Sequence, residues 1–166
     1  KIVPHIFPTH YAAVDRDLPR LIARHKPDAL LMFGLATRAK TLRIETRARN
    51  AQTLLADASG ASPVGHAIAA SAAPVIQMPA PTHRLLAAIR ATGVPAVLSR
   101  DAGRYLCNYL CWRATEAAAK SGPRLAAFIH VPPIRRGSGG VKRLTLDDLA
   151  RAGGRALAAL ATAARR

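Results

Sequence analysis

Apolar and polar positions alternate along this chain in blocks of two periods. Ile2-Val-Pro-His-Ile-Phe7 is a strand-like apolar segment at the very start. Asp15–His25 places Leu18, Leu21 and Ile22 at helical spacing, and Lys26-Pro27 stops the helix. Ala29-Leu-Leu-Met-Phe-Gly34 is a continuous apolar run ending in glycine, the pattern of a strand buried on both faces. Thr41-Leu-Arg-Ile-Glu-Thr46 alternates apolar with polar residues, which predicts a strand nearer a sheet edge. Thr82–Arg90 reads as a helix, with Thr82 as its cap and Gly93 as its stop. Pro95–Leu98 is a short buried strand, Tyr105–Lys120 a proline-free helix, and Arg124–Val131 a clear apolar strand closed by Pro132-Pro133. Thr145-Leu-Asp-Asp148 caps a last helix reaching about Ala164, with acids at its start and arginines at its end, as the helix dipole favours.

Two stretches break the pattern. From Ala51 to Ala80, Pro63, Gly65, Pro74 and Pro79 mark a long irregular excursion, within which Gln52–Asp57 or Ala67–Ala72 fits either a strand or a short helix. Ile134–Lys142, with Gly137, Gly139 and Gly140, reads as a flexible basic loop. Strands alternating with helices of these lengths predict an α/β fold: a three-layer sandwich with a mostly parallel central sheet and helices on both faces. At 166 residues the chain fits one domain, 1–166.

Composition changes this picture at three points. Half of the residues are hydrophobic but only 4% aromatic, so Ala, Leu, Val and Ile must build the core. The formal net charge is +16, from 25 Lys and Arg against 9 Asp and Glu, which raises nucleic-acid binding. The basic residues are nevertheless dispersed among alanines along the whole chain, with no interleaved aromatics to form a stacking platform. They read as solvated surface, with no specific nucleic-acid partner. Two cysteines four residues apart make no disulfide scaffold, and no His or Cys pair completes a zinc pattern. A reduced, cytoplasmic protein without a structural metal is expected. No apolar run reaches the roughly 18 residues that cross a bilayer, so no membrane role is expected.

The chain's chemistry centres on Ser99–Trp112, where a strand turns through Gly103 into a helix just before Cys107. Helix N-termini present free N–H groups and a positive dipole end, which favour a thiolate. Glu45 and His130 also fall at or near strand ends, where α/β sheets gather their sites. Cys, His and a carboxylate are what a thiol hydrolase uses: the imidazole takes the thiol proton, the carboxylate fixes its tautomer, and N–H groups hold the oxyanion. The same residues equally suit a buried free cysteine, a satisfied core histidine, and a glutamate paired with Arg43 or Arg47. Spacing alone leaves both readings open.

Motifs go further. Ser99-Arg-Asp-Ala-Gly-Arg-Tyr-Leu-Cys-Asn-Tyr109 resembles the cysteine motif of the pyroglutamyl peptidase I (pyrrolidone-carboxylate peptidase) family of cysteine peptidases. Phe128-Ile-His-Val-Pro132 is similar to that family's histidine motif. Gly34-Leu-Ala-Thr-Arg38, followed by Ile44-Glu-Thr-Arg-Ala-Arg-Asn50, is similar to its glycine loop and glutamate motif. All three occur in the family's order, and the likeness covers essentially the whole chain. It implies an exopeptidase that removes N-terminal pyroglutamate (5-oxoproline) from peptides through an acyl-enzyme on Cys107. His130 would be its base and acid, Glu45 would orient His130, and no cofactor would be needed. Tyr105 and Leu106 match positions lining the family's lactam pocket, and Arg38 is a candidate beside the oxyanion. The family also implies a homo-oligomer, often a tetramer.

Two departures from the family pattern accompany this. The strand and Gly-, Phe- and Pro-rich loop with which members begin have no match here, since Lys1–Phe7 aligns with a later strand; the chain is expected to lack that segment. The Ala-Arg-Ile-Pro-Asp-Asn segment after the glutamate motif is replaced by Ala51-Gln-Thr-Leu-Leu-Ala-Asp57. A non-catalytic homologue of the same fold, and a basic nucleic-acid-binding protein, are the alternatives.

Overall fold

A computed structural model describes residues 1–120, 122–134 and 144–165. In chain order the elements are α1 (Tyr11–His25), β1 (Ala29–Leu35), β2 (Leu42–Glu45), β3 (Arg47–Arg49), β4 (Val75–Gln77), α2 (Thr82–Arg90), β5 (Ala96–Ser99), α3 (Leu106–Lys120), β6 (Leu125–Val131) and α4 (Leu146–Ala164). The main sheet has the order β1-β6-β2-β5, and β3 and β4 form a separate antiparallel pair. β1/β6 and β2/β5 are parallel, whereas β6 meets β2 antiparallel. The sheet is therefore two parallel pairs running in opposite directions, joined at one antiparallel seam.

Strand periodicity assigns the two faces. On β6, Ala126 and Phe128 pack with α1 and α3, against Val14, Leu18, Leu106, Leu110 and Trp112. Ala127 and Ile129 pack on the other side with Leu85 and Ile89 of α2 and Ala156 and Leu160 of α4. Small alanines at the sheet and in α4 allow the close approach that a core poor in aromatics requires. Layers of α1/α3, sheet, and α2/α4 give the three-layer α/β architecture expected from the sequence, with a mostly parallel central sheet.

Two strands exchange the positions expected of them. β1 is an edge strand and is not buried on both faces: Phe33 is 48% and Leu35 59% exposed. β2, expected near the edge, lies between β6 and β5 with Leu42, Ile44 and Glu45 all buried. Its polar alternates, Arg43 and Glu45, do not face solvent; they are turned to the α3 side, where they meet other polar groups. Ile2–Phe7 is not a strand. It runs as irregular chain with Ile2 70% and Ile6 91% exposed, and Pro4 lacks the N–H that a ladder would use.

The excursion after β3 contributes only β4; neither Gln52–Asp57 nor Ala67–Ala72 becomes a helix or a strand. Polar side chains organise it instead. Asn50 Oδ1 accepts from the N–H groups of Ile68 and Ala69 while its Nδ2 donates to the Ala69 carbonyl. Asp57 accepts from the N–H groups of Tyr11, Ser59 and Ala61, so this loop residue caps the first turn of α1. Those bonds, led by the Ser59 hydroxyl, hold the Asp57 carboxyl down to about 2.

Helix ends follow the sequence in part: α1 begins at Tyr11 rather than Asp15, and Arg165 falls just past the last turn of α4. Thr145 and Asp148 form a reciprocal capping box at α4, and Gly93 takes φ +80° after α2. Thr82, by contrast, is the first residue of α2 rather than its cap; Pro81 occupies that position and offers no side-chain bond. Of the basic loop Ile134–Lys142, all but Ile134 lies outside the described residues.

Candidate active site

Glu45 closes β2 opposite Phe128, and Arg43 stands opposite His130. Strand alternation thus puts Arg43, Glu45 and His130 on one face, the α3 side, two ladder positions apart. His130 Nδ1 lies 2.8 Å from Glu45 Oε1, with the histidine side chain 8% and the glutamate 0% exposed. A carboxylate accepting at Nδ1 fixes the proton there, which leaves Nε2 as the working nitrogen of the ring. The Phe128 ring packs edge-on against the imidazole at 4.9 Å. Burial alone pushes the His130 imidazolium toward losing its proton. Hydrogen bonding and charge from Cys107 and Glu45 outweigh it and raise the histidine to about 9.

Cys107 reaches this same face from α3, which packs over it. The turn after β5 passes through Gly103, at φ +82°, and starts α3 at Leu106. Cys107 is therefore in the first helical turn, partly exposed, under the N–H groups that open the helix. Its thiol rests against β1 at Gly34, the residue in register with His130. A β-carbon on Gly34 would stand 2.8 Å from Cys107 Sγ and 2.7 Å from Phe128 Cζ.

The following residue anchors the helix start. Asn108, fully buried, accepts from the Arg49 N–H and donates to the carbonyls of Arg49 and Ala51. The turn itself is riveted to β2 and β3. Arg43 Nη2 donates to Ser99 Oγ at 2.7 Å and to the Asp101 carbonyl at 2.9 Å. Thr46 Oγ1 donates to the Ser99 carbonyl, and Arg47 Nε to the Arg100 carbonyl. Of the two arginines weighed as partners for Glu45, Arg43 is present at 3.8 Å while Arg47 is committed to the turn. Pairing with Arg43 and bonding to His130 thus coexist on the same carboxylate oxygen. Glu45 Oε2 is buried and, among the described residues, accepts no hydrogen bond.

Comparison with known proteins decides the family. A family model described as pyroglutamyl peptidase matches residues 1–145. The pyrrolidone-carboxylate peptidase of Clavibacter michiganensis is 30% identical over 149 residues, covering 87% of this chain and 70% of that protein. Pyrrolidone-carboxylate peptidase 1 of Ralstonia nicotianae is 32% identical over 133 residues, covering 79% and 62%. The crystal structure of pyroglutamyl peptidase I from Bacillus amyloliquefaciens superposes with a TM-score of 0.81 at 27% identity, covering 96% of this chain and 76% of that one. The chain belongs to the pyroglutamyl peptidase family. It spans about two thirds of the length of the curated relatives that it matches, 70% and 62% in these two cases.

Within this family member, the three residues matched to the cysteine, histidine and glutamate motifs converge on one face of the sheet. Tyr105 and Leu106 precede the thiol but turn toward the α1–α3 core. Tyr105 donates its hydroxyl to the Ala56 carbonyl and stacks edge-on with Tyr11, and Leu106 is 8% exposed. Arg38 is exposed in the chain that follows β1. Cys111, one turn beyond Cys107, is fully buried; burial first, then the charges of Glu45 and Cys107, push its thiol well above the usual range. Among the described residues, no group of three His, Cys, Asp or Glu side chains is placed to hold a metal ion, and no helix is long and apolar enough to cross a membrane.

Sequence reasoning had Gly34 and Asn108 inside its motifs and Arg43 as a partner of Glu45, but gave none of the three a part in positioning Cys107. For Gly34 and Asn108 a signal was present in the motifs themselves: a glycine ending an apolar strand, and an asparagine directly after the cysteine on a helix.

Proposed function

We propose that this chain is a cysteine exopeptidase that removes N-terminal pyroglutamate from peptides, with Cys107, His130 and Glu45 as its catalytic residues. The observation that carries the reading is the 2.8 Å bond from a fully buried Glu45 to His130, on an imidazole that also interacts with Cys107. The imidazole, raised to about 9, accepts the proton that Cys107 gives up and holds it beside the sulfur. That sulfur attacks the carbonyl between the lactam ring and the next residue. His130 gives its proton to the departing amine, and the acyl group stays on sulfur as a thioester. Water, losing its proton to His130 Nε2, then releases pyroglutamate and regenerates the thiol pair. Glu45 keeps Nδ1 protonated throughout and so presents Nε2 to sulfur and water.

The N–H groups opening α3 around Leu106 and Cys107 support an oxyanion site, with Arg38 assigned beside it. Tyr105 and Leu106, which the resemblance places on the lactam side, pack into the α1–α3 core and are proposed to back the pocket rather than to line it. The ring is uncharged, with one N–H and one C=O, so an apolar lining with few polar contacts suits it and disfavours an ordinary ammonium N-terminus. The reaction uses no cofactor in this reading. We further assign a single domain over 1–166, a reducing cytoplasmic setting that keeps the two free cysteines reduced, and assembly into a homo-oligomer, a tetramer in this reading. Exposed Ile2, Ile6, Leu55 and Val64 offer apolar surface for such contacts.

The test is release of fluorophore from a pyroglutamyl-coumarin amide by the complete purified protein. Turnover abolished by Cys107→Ala and by His130→Ala is expected. Absence of turnover, with Cys107 alkylating no faster than a free thiol, overturns the reading.

A further inference from the structure

We propose that Arg43 is a positioning residue that couples the Glu45–His130 pair to the segment delivering Cys107; this rests on the peptidase reading of those three residues. Three observations carry it. Arg43 stands in the centre of the sheet, opposite His130 on β6 and opposite Val97 on β5, the strand that leads to the nucleophile. Its Nε faces the carboxylate oxygen that His130 uses, at 3.8 Å. Its Nη2 donates to both Ser99 Oγ and the Asp101 carbonyl, the first residues of the Cys107 turn. One rigid guanidinium thus touches both the orienting carboxylate and the nucleophile's approach.

The need for such a residue follows from Glu45. Its side chain is wholly buried, and among the described residues both of its polar partners, His130 and Arg43, meet Oε1 while Oε2 accepts no hydrogen bond. Buried carboxylates require cationic or donor partners to stay in place. Guanidinium remains charged throughout the cycle, and its planar fork presents two nitrogens in a fixed relation. When His130 passes its proton to the leaving amine, Arg43 is the cation left beside Glu45. Through the turn, the same group fixes the distance at which sulfur meets the imidazole.

The experiment compares wild type, Arg43→Gln, Arg43→Lys and Ser99→Ala in two assays: alkylation of Cys107 by iodoacetamide, and turnover of the pyroglutamyl-coumarin amide. Cys111 is fully buried, so labelling reports Cys107. Arg43→Gln is expected to slow alkylation and to lower kcat by about tenfold, the scale of a small misplacement of reacting groups, with KM held within about twofold. Arg43→Lys, which keeps the cation but not the fork, should recover to within about threefold of wild type in both assays. Ser99→Ala deletes one acceptor only and should slow alkylation by about threefold. Alkylation by Arg43→Gln at the wild-type rate, or Arg43→Lys no better than Arg43→Gln, overturns the proposal. If Arg43→Gln does not fold, Ser99→Ala decides, and its reacting at the wild-type rate overturns the proposal. If wild type releases no fluorophore, the peptidase reading fails while the alkylation series still judges Arg43.

Discussion

Gly34 lies directly against the Cys107 thiol: a β-carbon there would come within 2.8 Å of Sγ and 2.7 Å of Phe128 Cζ. Both distances are shorter than any ordinary contact, so adding one methyl must displace the sulfur, the ring or the strand. Gly34→Ala is expected to lower turnover by at least tenfold by shifting sulfur away from the imidazole. It should also destabilise the fold by about 1–3 kcal/mol through overpacking. Steady-state kinetics beside urea denaturation check this, and a variant with wild-type kcat would show that the thiol does not depend on that approach.

His130 sets the pH behaviour. Its folded value, about 9, lies above the ordinary 6.5 of histidine, because Cys107 and Glu45 outweigh its burial. A raised histidine stabilises the folded state fully below about pH 6.5 and loses that contribution as pH rises through about 9. Thermal midpoints should therefore fall between those pH values. In Glu45→Gln, where the carboxylate charge is gone, the histidine should titrate lower and the fall should begin at lower pH. NMR titration of the His130 ring, wild type against Glu45→Gln, measures both; equal titration in the two proteins would contradict the assigned partnership.

The two cysteines should differ sharply in chemistry. Burial and the neighbouring charges of Glu45 and Cys107 keep Cys111 protonated, so iodoacetamide at neutral pH should modify Cys107 alone. Intact-mass analysis is expected to show one adduct on wild type, one on Cys111→Ala and none on Cys107→Ala. Two adducts on the folded wild type would refute this ordering.

Asn108 is the tether beside Cys107, with three bonds to the backbone of Arg49 and Ala51. Asn108→Ala strands those buried groups and should cost roughly 2–4 kcal/mol in urea denaturation. Because Asn108 follows Cys107 directly, residual folded protein should also alkylate more slowly.

Much of this arrangement was legible in the residues. The helices α3 and α4 and the strands β5 and β6 follow from periodicity and caps, within one or two residues at their ends. Cys107, His130 and Glu45 were found through motifs, since spacing alone cannot bring residues 85 positions apart to one point. The central position of β2 was hidden for a physical reason. Arg43 and Glu45 read as outward-facing polar alternates, yet they are buried or half-buried because they bond to one another, to His130 and to Ser99. A polar group paired across a sheet looks, in one dimension, like one bathed in water. The excursion from Ala51 to Ala80 was hidden differently: Asn50, Gln52 and Asp57 hold it with side-chain bonds to distant backbone, which leave no periodic trace.

The place of β6 in the sheet has a kinetic consequence. Though it is the last strand in sequence, it inserts between β1 and β2 and brings His130 beside a glutamate fixed far earlier in the chain. Non-local pairings of this kind are slow to form. A polypeptide emerging from the ribosome therefore exposes Cys107 and Glu45 well before any base stands between them. In the peptidase reading, chains that end before Leu125 lack His130 and its strand, and are expected to release no pyroglutamate.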